Sequence, residues 1–143
     1  MILQLLMAAI MATSAMTLFS YIISESFKEL YKEPLLLKFI LDRLNFTFSE
    51  SLKSICSWII HYGIGLIFVI VYHILWKYKI VPFTILSGVY LGALSGLAGI
   101  TGWIIMFKLS RFERKVSDKG YYIQLFFAHV IFGLTAFLVY ENI

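Results

Sequence analysis

Hydrophobic residues fill four long stretches of the chain, and short polar segments separate them. The stretches run from about Ile2 to Ile23, Ser54 to Trp76, Pro82 to Phe107 and Tyr121 to Tyr140. Each is longer than the roughly 18 apolar residues that mark a helix able to cross a bilayer. We therefore predict an all-α, polytopic membrane protein in which residues 1–143 form a single transmembrane domain.

The overall composition points the same way. Hydrophobic residues make up 61% of the chain and charged residues 14%, which is outside the range of soluble domains. The single cysteine, Cys56, excludes an internal disulfide and a cysteine-based zinc site.

Basic residues are distributed very unevenly between the two sides of the predicted membrane. Four spans place both termini on the same side as the short loop 77–81, which carries two bases, Lys77 and Lys79. The opposite side carries ten: Lys28, Lys32, Lys38, Arg43, Lys53, Lys108, Arg111, Arg114, Lys115 and Lys119. Because basic loops stay in the cytoplasm, we predict that both termini face the periplasm or exterior. Anionic lipid head groups are the expected partners of Lys108, Arg111, Arg114 and Lys115.

The first cytoplasmic loop contains a short apolar segment of its own, at about residues 34–45. Pro34 suits the first turn of a helix, and Glu33 before it is expected to be extended. The segment is too short to span a bilayer and carries Lys38 and Asp42 on one side. We predict a short helix on the cytoplasmic interface, and the alternative is a docking element for a partner protein.

Two spans share a sequence pattern. Residues His61–Tyr72 and His129–Tyr140 both read H-x-x-x-G-L-x-x-x-x-V-Y. The pattern indicates a duplicated pair of hairpins, a 2+2 internal repeat in a four-helix bundle. Both histidines are then expected at the same depth, about 10–12 Å below the cytoplasmic boundary.

Three interpretations of the histidines stay open. In the first, each imidazole hydrogen-bonds a backbone carbonyl or a neighbouring side chain, with candidates Thr17, Ser20, Thr101 and Gln124. In the second, His61 and His129 bind a haem b between two helices, although no cation lies deep in the spans for its propionates. In the third, the pair responds to protons or to a metal ion.

Small residues recur at helical spacing and predict close packing of helices. They lie on the first span, one turn after each histidine, and along the third span: Ala9, Thr13, Thr17, Gly65, Gly88, Gly92, Gly96, Gly99, Gly102 and Gly133. The third-span glycines have three candidate roles, namely packing within the monomer, a homodimer seam, or a passage lined by bare backbone.

The spans also resemble a known group of proteins. The resemblance rests on Ala12-Thr13 and Met16-Thr17, His61 to Tyr72, Gly96 to Trp103, and His129 to Tyr140. In these features the chain is similar to small bacterial inner-membrane proteins of the YagU-like type, a group without an assigned activity. The long charged loop Ser24–Lys53 departs from that pattern. The resemblance implies a bacterial four-helix membrane protein, and no functional residues are carried over.

Chemistry-bearing motifs are absent from the sequence. No span has Asp, Glu, Lys or Arg near its middle, which counts against ion-coupled transport. No nucleophile with a base, phosphate-binding loop or metal motif is found either, so we do not expect an enzyme. The sequence favours a structural or accessory membrane subunit, in a homo-oligomer or larger complex. The alternatives are a bis-histidine haem b electron carrier and a passive channel or small-solute transporter formed by a dimer.

Overall fold

The computed structural model describes residues 1–44, 47–111 and 118–143, the last range without the side chain of Asp118. Within these ranges the secondary structure is entirely helical: α1 (Ile2–Phe27), α2 (Glu33–Arg43), α3 (Glu50–Lys77), α4 (Ile85–Leu109) and α5 (Asp118–Asn142). The helices α1, α3, α4 and α5 are long and apolar enough to cross a membrane. The predicted all-α class and four candidate spans are thus confirmed.

Side-chain caps set where α3 and α4 begin. Ser49 Oγ accepts a hydrogen bond from the amide of Leu52 at 3.3 Å, which starts α3. Thr84 and Ser87 form a reciprocal capping box at the start of α4. The helix α4, which corresponds to the third predicted span, therefore begins after Thr84, slightly later than the predicted start at Pro82.

The helix α5 lies at the centre of the packing. Its closest neighbours are α4 and α1, while α3 packs on α1 and α2 packs on α3. Although a short loop joins α3 to α4, their described backbones do not pack closely. Large side chains bridge them instead: the Tyr72 hydroxyl lies 2.6 Å from Ser95 Oγ, and Trp76 Nε1 donates to Ser87 Oγ at 3.0 Å.

Glycines allow α4 and α5 to touch at their backbones. A Cβ atom on Gly92 would lie 2.6 Å from the carbonyl oxygen of His129, and one on Gly133 would lie 2.6 Å from Gly92 Cα. A Cβ on Gly88 would lie 2.7 Å from Phe137 Cβ, and one on Gly96 would lie 3.3 Å from His129 Cβ. The stripe Gly88, Gly92, Gly96 thus faces α5 within the chain.

The helix α2 is packed onto the bundle. Its side chains Leu36, Leu37 and Ile40 are buried in the core. Ion pairs hold it to the start of α3, with Lys53 Nζ 2.7 Å from Asp42 Oδ1 and Lys38 Nζ 3.1 Å from Glu50 Oε2.

The sequence expectation for Glu33 is wrong. The structure makes it the first residue of α2, and Lys32 is the extended residue before the helix. A residue before proline avoids the helical region only by a modest preference. Here the hydrogen bond that Glu33 makes inside the bundle offsets that preference.

Candidate functional site

A cavity of about 160 Å³ lies between the helices. Every helix contributes to its lining: Thr13 from α1, Glu33 from α2, His61 from α3, Gly99 from α4 and His129 from α5. The rest of the wall is mostly apolar, and it includes Met16, Leu37, Phe68, Trp103, Met106 and Phe132. A largely apolar cavity with a few convergent polar groups is the usual form of a small-molecule site.

Glu33 enters the bundle from the loop and is only 1% exposed. Its Oε1 accepts a 2.6 Å hydrogen bond from the Ser20 hydroxyl, and Ser20 Oγ in turn accepts a 2.5 Å bond from Gln124 Nε2. Burial raises the pKa of Glu33 from its ordinary 4.5 to about 7, because the charged form loses its hydration, while hydrogen bonds from Ser20, from its own backbone amide and from Gln124 oppose that rise. Its second oxygen, Oε2, is buried without a hydrogen-bond partner among the described residues.

His61 is fixed by a chain of hydrogen bonds along α1. Its Nε2 lies 2.8 Å from Thr17 Oγ1, and the Thr17 hydroxyl donates to the carbonyl of Thr13 at 2.7 Å. The aromatic rings of Trp58 and Tyr62 meet the imidazole edge-on, with centroids 6.4 and 6.1 Å away. The side chain is buried and held in one orientation.

His129 is fixed differently. Its Nδ1 lies 2.9 Å from the carbonyl oxygen of Leu125, one turn earlier in α5. The far side of the ring lies against α4, since a Cβ on Gly99 would be 2.9 Å from His129 Nε2. The ring of Phe68 from α3 packs edge-on, with its centroid 5.9 Å away. Gly99 therefore makes room for this imidazole.

The other predicted small residues fall into two groups. Ala9 and Thr17 are buried on α1, and Gly65 lies directly against the Thr13 hydroxyl. Gly102 differs, because a Cβ there would meet nothing within 4 Å. It lines the cavity and has no packing partner at that position.

The predicted head-group residues lie at or beyond the end of α4. Lys108 and Arg111 are exposed. Arg114 and Lys115 lie outside the described residues.

Sequence reasoning missed Glu33, which lies at the start of the short helix α2 and outside the four spans. A signal for it does exist in two polar residues, Ser20 near the end of α1 and Gln124 near the start of α5, because both are polar residues in apolar helices. The sequence suggested both as partners of a histidine. In the structure they form a chain with Glu33, while the partner of His61 is Thr17.

The cavity offers few of the features that a metal ion or a haem requires. Among the described residues, no three His, Cys, Asp or Glu side chains are grouped as metal ligands would be. For a haem, His61 Nε2 is already engaged by Thr17, and about 160 Å³ leaves no room for a macrocycle between these helices. Haem b stays a prediction from the sequence, and a reduced-minus-oxidised absorption spectrum of the purified protein tests it.

No family model, curated protein or solved structure matches this chain.

Proposed function

We propose that this chain is a non-catalytic integral membrane protein that binds a small solute inside its helix bundle, as a receptor or a passive carrier. The single observation that carries the proposal is the cavity lined jointly by Glu33, His61 and His129. Ionisable groups are costly inside a membrane protein and are usually retained for function. Three of them beside one cavity, with hydrogen bonds fixing their positions, support a binding site over simple packing.

A structural or accessory subunit, which the sequence favours, is the second candidate function. In that case a partner would contact the small-residue faces of the helices. The stripe Gly88, Gly92, Gly96 is occupied by α5 of the same chain. These glycines therefore support packing within one molecule.

We place the protein in a bacterial inner membrane with both termini outside. The count of ten basic residues on one side against two on the other supports this orientation. In this frame α2 lies at the cytoplasmic end of the bundle, with its apolar residues against α3 and with its single lysine, Lys38, paired to Glu50 of α3. Lys108 and Arg111, which are exposed, are on the same side in this frame and would meet anionic lipid head groups there.

We also propose that the two hairpins share a common origin. Equivalent glycines support this idea, since Gly65 of α3 lies against Thr13 of α1 and Gly133 of α5 lies against Gly92 of α4. In this repeat α1 corresponds to α4 and α3 to α5, so the contact between α1 and α5 should have an equivalent between α4 and α3. The two contacts differ, because α5 packs closely on α1 while α3 does not pack closely on α4. Residues of α3 and α4 both line the cavity, and these are the two helices that do not pack closely on each other.

Filling the cavity is the direct test of the proposed function. Gly102→Leu adds a side chain at a glycine that lines the cavity, and Gly63→Leu is a matched control at an exposed helical glycine with equally open space. Thermal unfolding of the detergent-purified protein would be measured with ethylammonium chloride, sodium acetate, acetamide and ethanol at matched ionic strength. We expect at least one probe to raise the Tm saturably in the wild type and in Gly63→Leu, and to have no effect on Gly102→Leu. Equal responses in all three proteins, or none in any, would overturn the proposal.

A further inference from the structure

The protons in the cavity wall can be assigned from the hydrogen bonds. The Thr17 hydroxyl gives its only hydrogen to the carbonyl of Thr13, so its oxygen must accept from His61 Nε2. A neutral His61 therefore carries its proton on Nε2 and leaves Nδ1 with a lone pair. The carbonyl oxygen of Leu125 can only accept, so His129 carries its proton on Nδ1 and leaves Nε2 with a lone pair.

The donors and acceptors of the hydrogen-bonded chain Gln124, Ser20 and Glu33 can be assigned in the same way. Ser20 gives its hydrogen to Glu33 Oε1, and Gln124 donates to Ser20. Glu33 Oε2 and Gln124 Oε1 are then buried acceptors without a donor among the described residues. Thr13 Oγ1 is also unpartnered, and as a hydroxyl it can both donate and accept.

The cavity wall thus presents an excess of acceptors. When Glu33 is ionised, three of the residues that line the cavity, Glu33, His61 and His129, each have an acceptor that no described group engages, and no Lys or Arg side chain of the described residues lines it. A ligand that matches this wall must bring hydrogen-bond donors. A positive charge on the ligand would also pair with the carboxylate of Glu33, which is costly to bury alone.

The apolar part of the wall restricts the ligand further. The aromatic rings of Phe68, Trp103 and Phe132 line the cavity and can face a cation. Aliphatic side chains such as Met16, Leu37 and Ile64 suit a short hydrocarbon group. A volume of about 160 Å³ is close to that of a cavity able to hold benzene, so it admits a ligand of roughly six non-hydrogen atoms.

Building on the proposed function, we infer that the cavity binds a small primary ammonium cation, a short alkylammonium ion whose N–H groups donate to Glu33, His61 and His129. Specificity in this arrangement comes from the N–H donors as well as from the charge. A quaternary ammonium ion has the charge without the donors, and an alcohol of similar size has a donor without the charge. Both should bind much more weakly than a primary ammonium ion.

Isothermal titration calorimetry of the detergent-purified protein tests this inference, with ethylammonium chloride as the probe. Tetramethylammonium chloride and ethanol are the comparison ligands. We expect saturable binding of ethylammonium, at least tenfold weaker binding of both comparison ligands, and at least a tenfold loss in Glu33→Gln. The matched control Glu29→Gln, which changes a carboxylate of the same loop that does not line the cavity, should bind like the wild type.

The outcomes separate this inference from the proposed function. One outcome is that acetate, acetamide or ethanol binds to the wild type and not to Gly102→Leu, while ethylammonium does not bind. The cavity is then a solute site, and the ammonium inference is overturned. If no probe binds, both are overturned. Should Glu33→Gln fail to fold, Gly102→Leu and Gly63→Leu carry the test, since ethylammonium must bind the second variant and not the first.

Discussion

The Ser20 hydroxyl donates a 2.6 Å hydrogen bond to Glu33 Oε1, and this bond joins the first residue of the short helix α2 to the interior of the helix bundle. Ser20 belongs to α1 and Glu33 to α2, so the bond also fixes the short helix against the spans. As a result, a chain whose spans carry no charge near their middle acquires a carboxylate beside its two buried histidines.

The first prediction concerns the pH dependence of stability. The pKa of Glu33 is about 7 in the folded protein and 4.5 ordinarily, so the folded state binds the extra proton between these values. The contribution of Glu33 to the free energy of unfolding should therefore be greatest below pH 4.5, fall as the pH rises to 7, and then stay level. The total loss of this contribution should be about 3 kcal/mol, because each pKa unit corresponds to about 1.4 kcal/mol. It is measured as the difference between the wild type and Glu33→Gln in thermal unfolding in detergent between pH 4 and pH 8.

Glu33→Gln removes this titration and should remove the associated fall in stability. Glu29→Gln, which alters an acid on the same loop, should keep it. An unchanged pH profile in Glu33→Gln would show that Glu33 does not titrate inside the bundle.

The second prediction concerns the contact between α4 and α5. Gly133→Ala should lower the free energy of unfolding by about 1–3 kcal/mol, because its methyl group meets backbone atoms of Gly88 and Gly92 that cannot move aside cheaply. Gly63→Ala is the matched control, since a methyl group there meets nothing within 4 Å. It should raise stability by up to about 1 kcal/mol through its better helix propensity. Equal effects of the two substitutions would contradict the packing of α4 on α5.

The third prediction concerns the two histidine rings. Nitrogen NMR of histidine-labelled protein should find the proton of His61 on Nε2 and that of His129 on Nδ1, because their partners are a hydroxyl that accepts and a carbonyl. Thr17→Val should change the His61 signals and leave those of His129 in place. The same tautomer in both rings would refute the assignment.

The fourth prediction concerns orientation in the membrane. Phe27 and Tyr78 lie at opposite ends of the spans, and each is 68% exposed. Single cysteines at these positions, in a Cys56→Ser background, would be treated with a membrane-impermeant maleimide on intact bacterial cells. Tyr78→Cys should react at once and Phe27→Cys only after permeabilisation. The opposite result would reverse the orientation that the basic residues indicate.

The sequence was sufficient to predict the spans because their signal is local. Uninterrupted apolar stretches predicted all four long helices, and the spacing of Gly88, Gly92 and Gly96 indicated a face for close packing. Neither the partner of this glycine face nor the wider separation of α3 and α4 could be predicted, since both depend on how four similar helices choose neighbours.

The site was only half predictable for a related reason. His61 and His129 stand out in the sequence because polar residues are rare in spans. Glu33 does not, because it is one of several acids in a charged loop. Its role depends on a tertiary contact, the docking of α2 beside Ser20, and no local pattern specifies that contact.

The measurement that tests the account most directly is a pH titration of the glutamate side-chain carboxyl signals by carbon NMR, with Glu33→Gln used to assign Glu33. The proposed binding site requires Glu33 to lie inside the bundle and beside the cavity. In that case one carboxyl signal, missing from Glu33→Gln, should titrate near pH 7. If the Glu33 signal of the protein without added amine instead titrates near the ordinary value of 4.5, the carboxyl group is not desolvated in the way that this site requires, and the result contradicts the binding site described here.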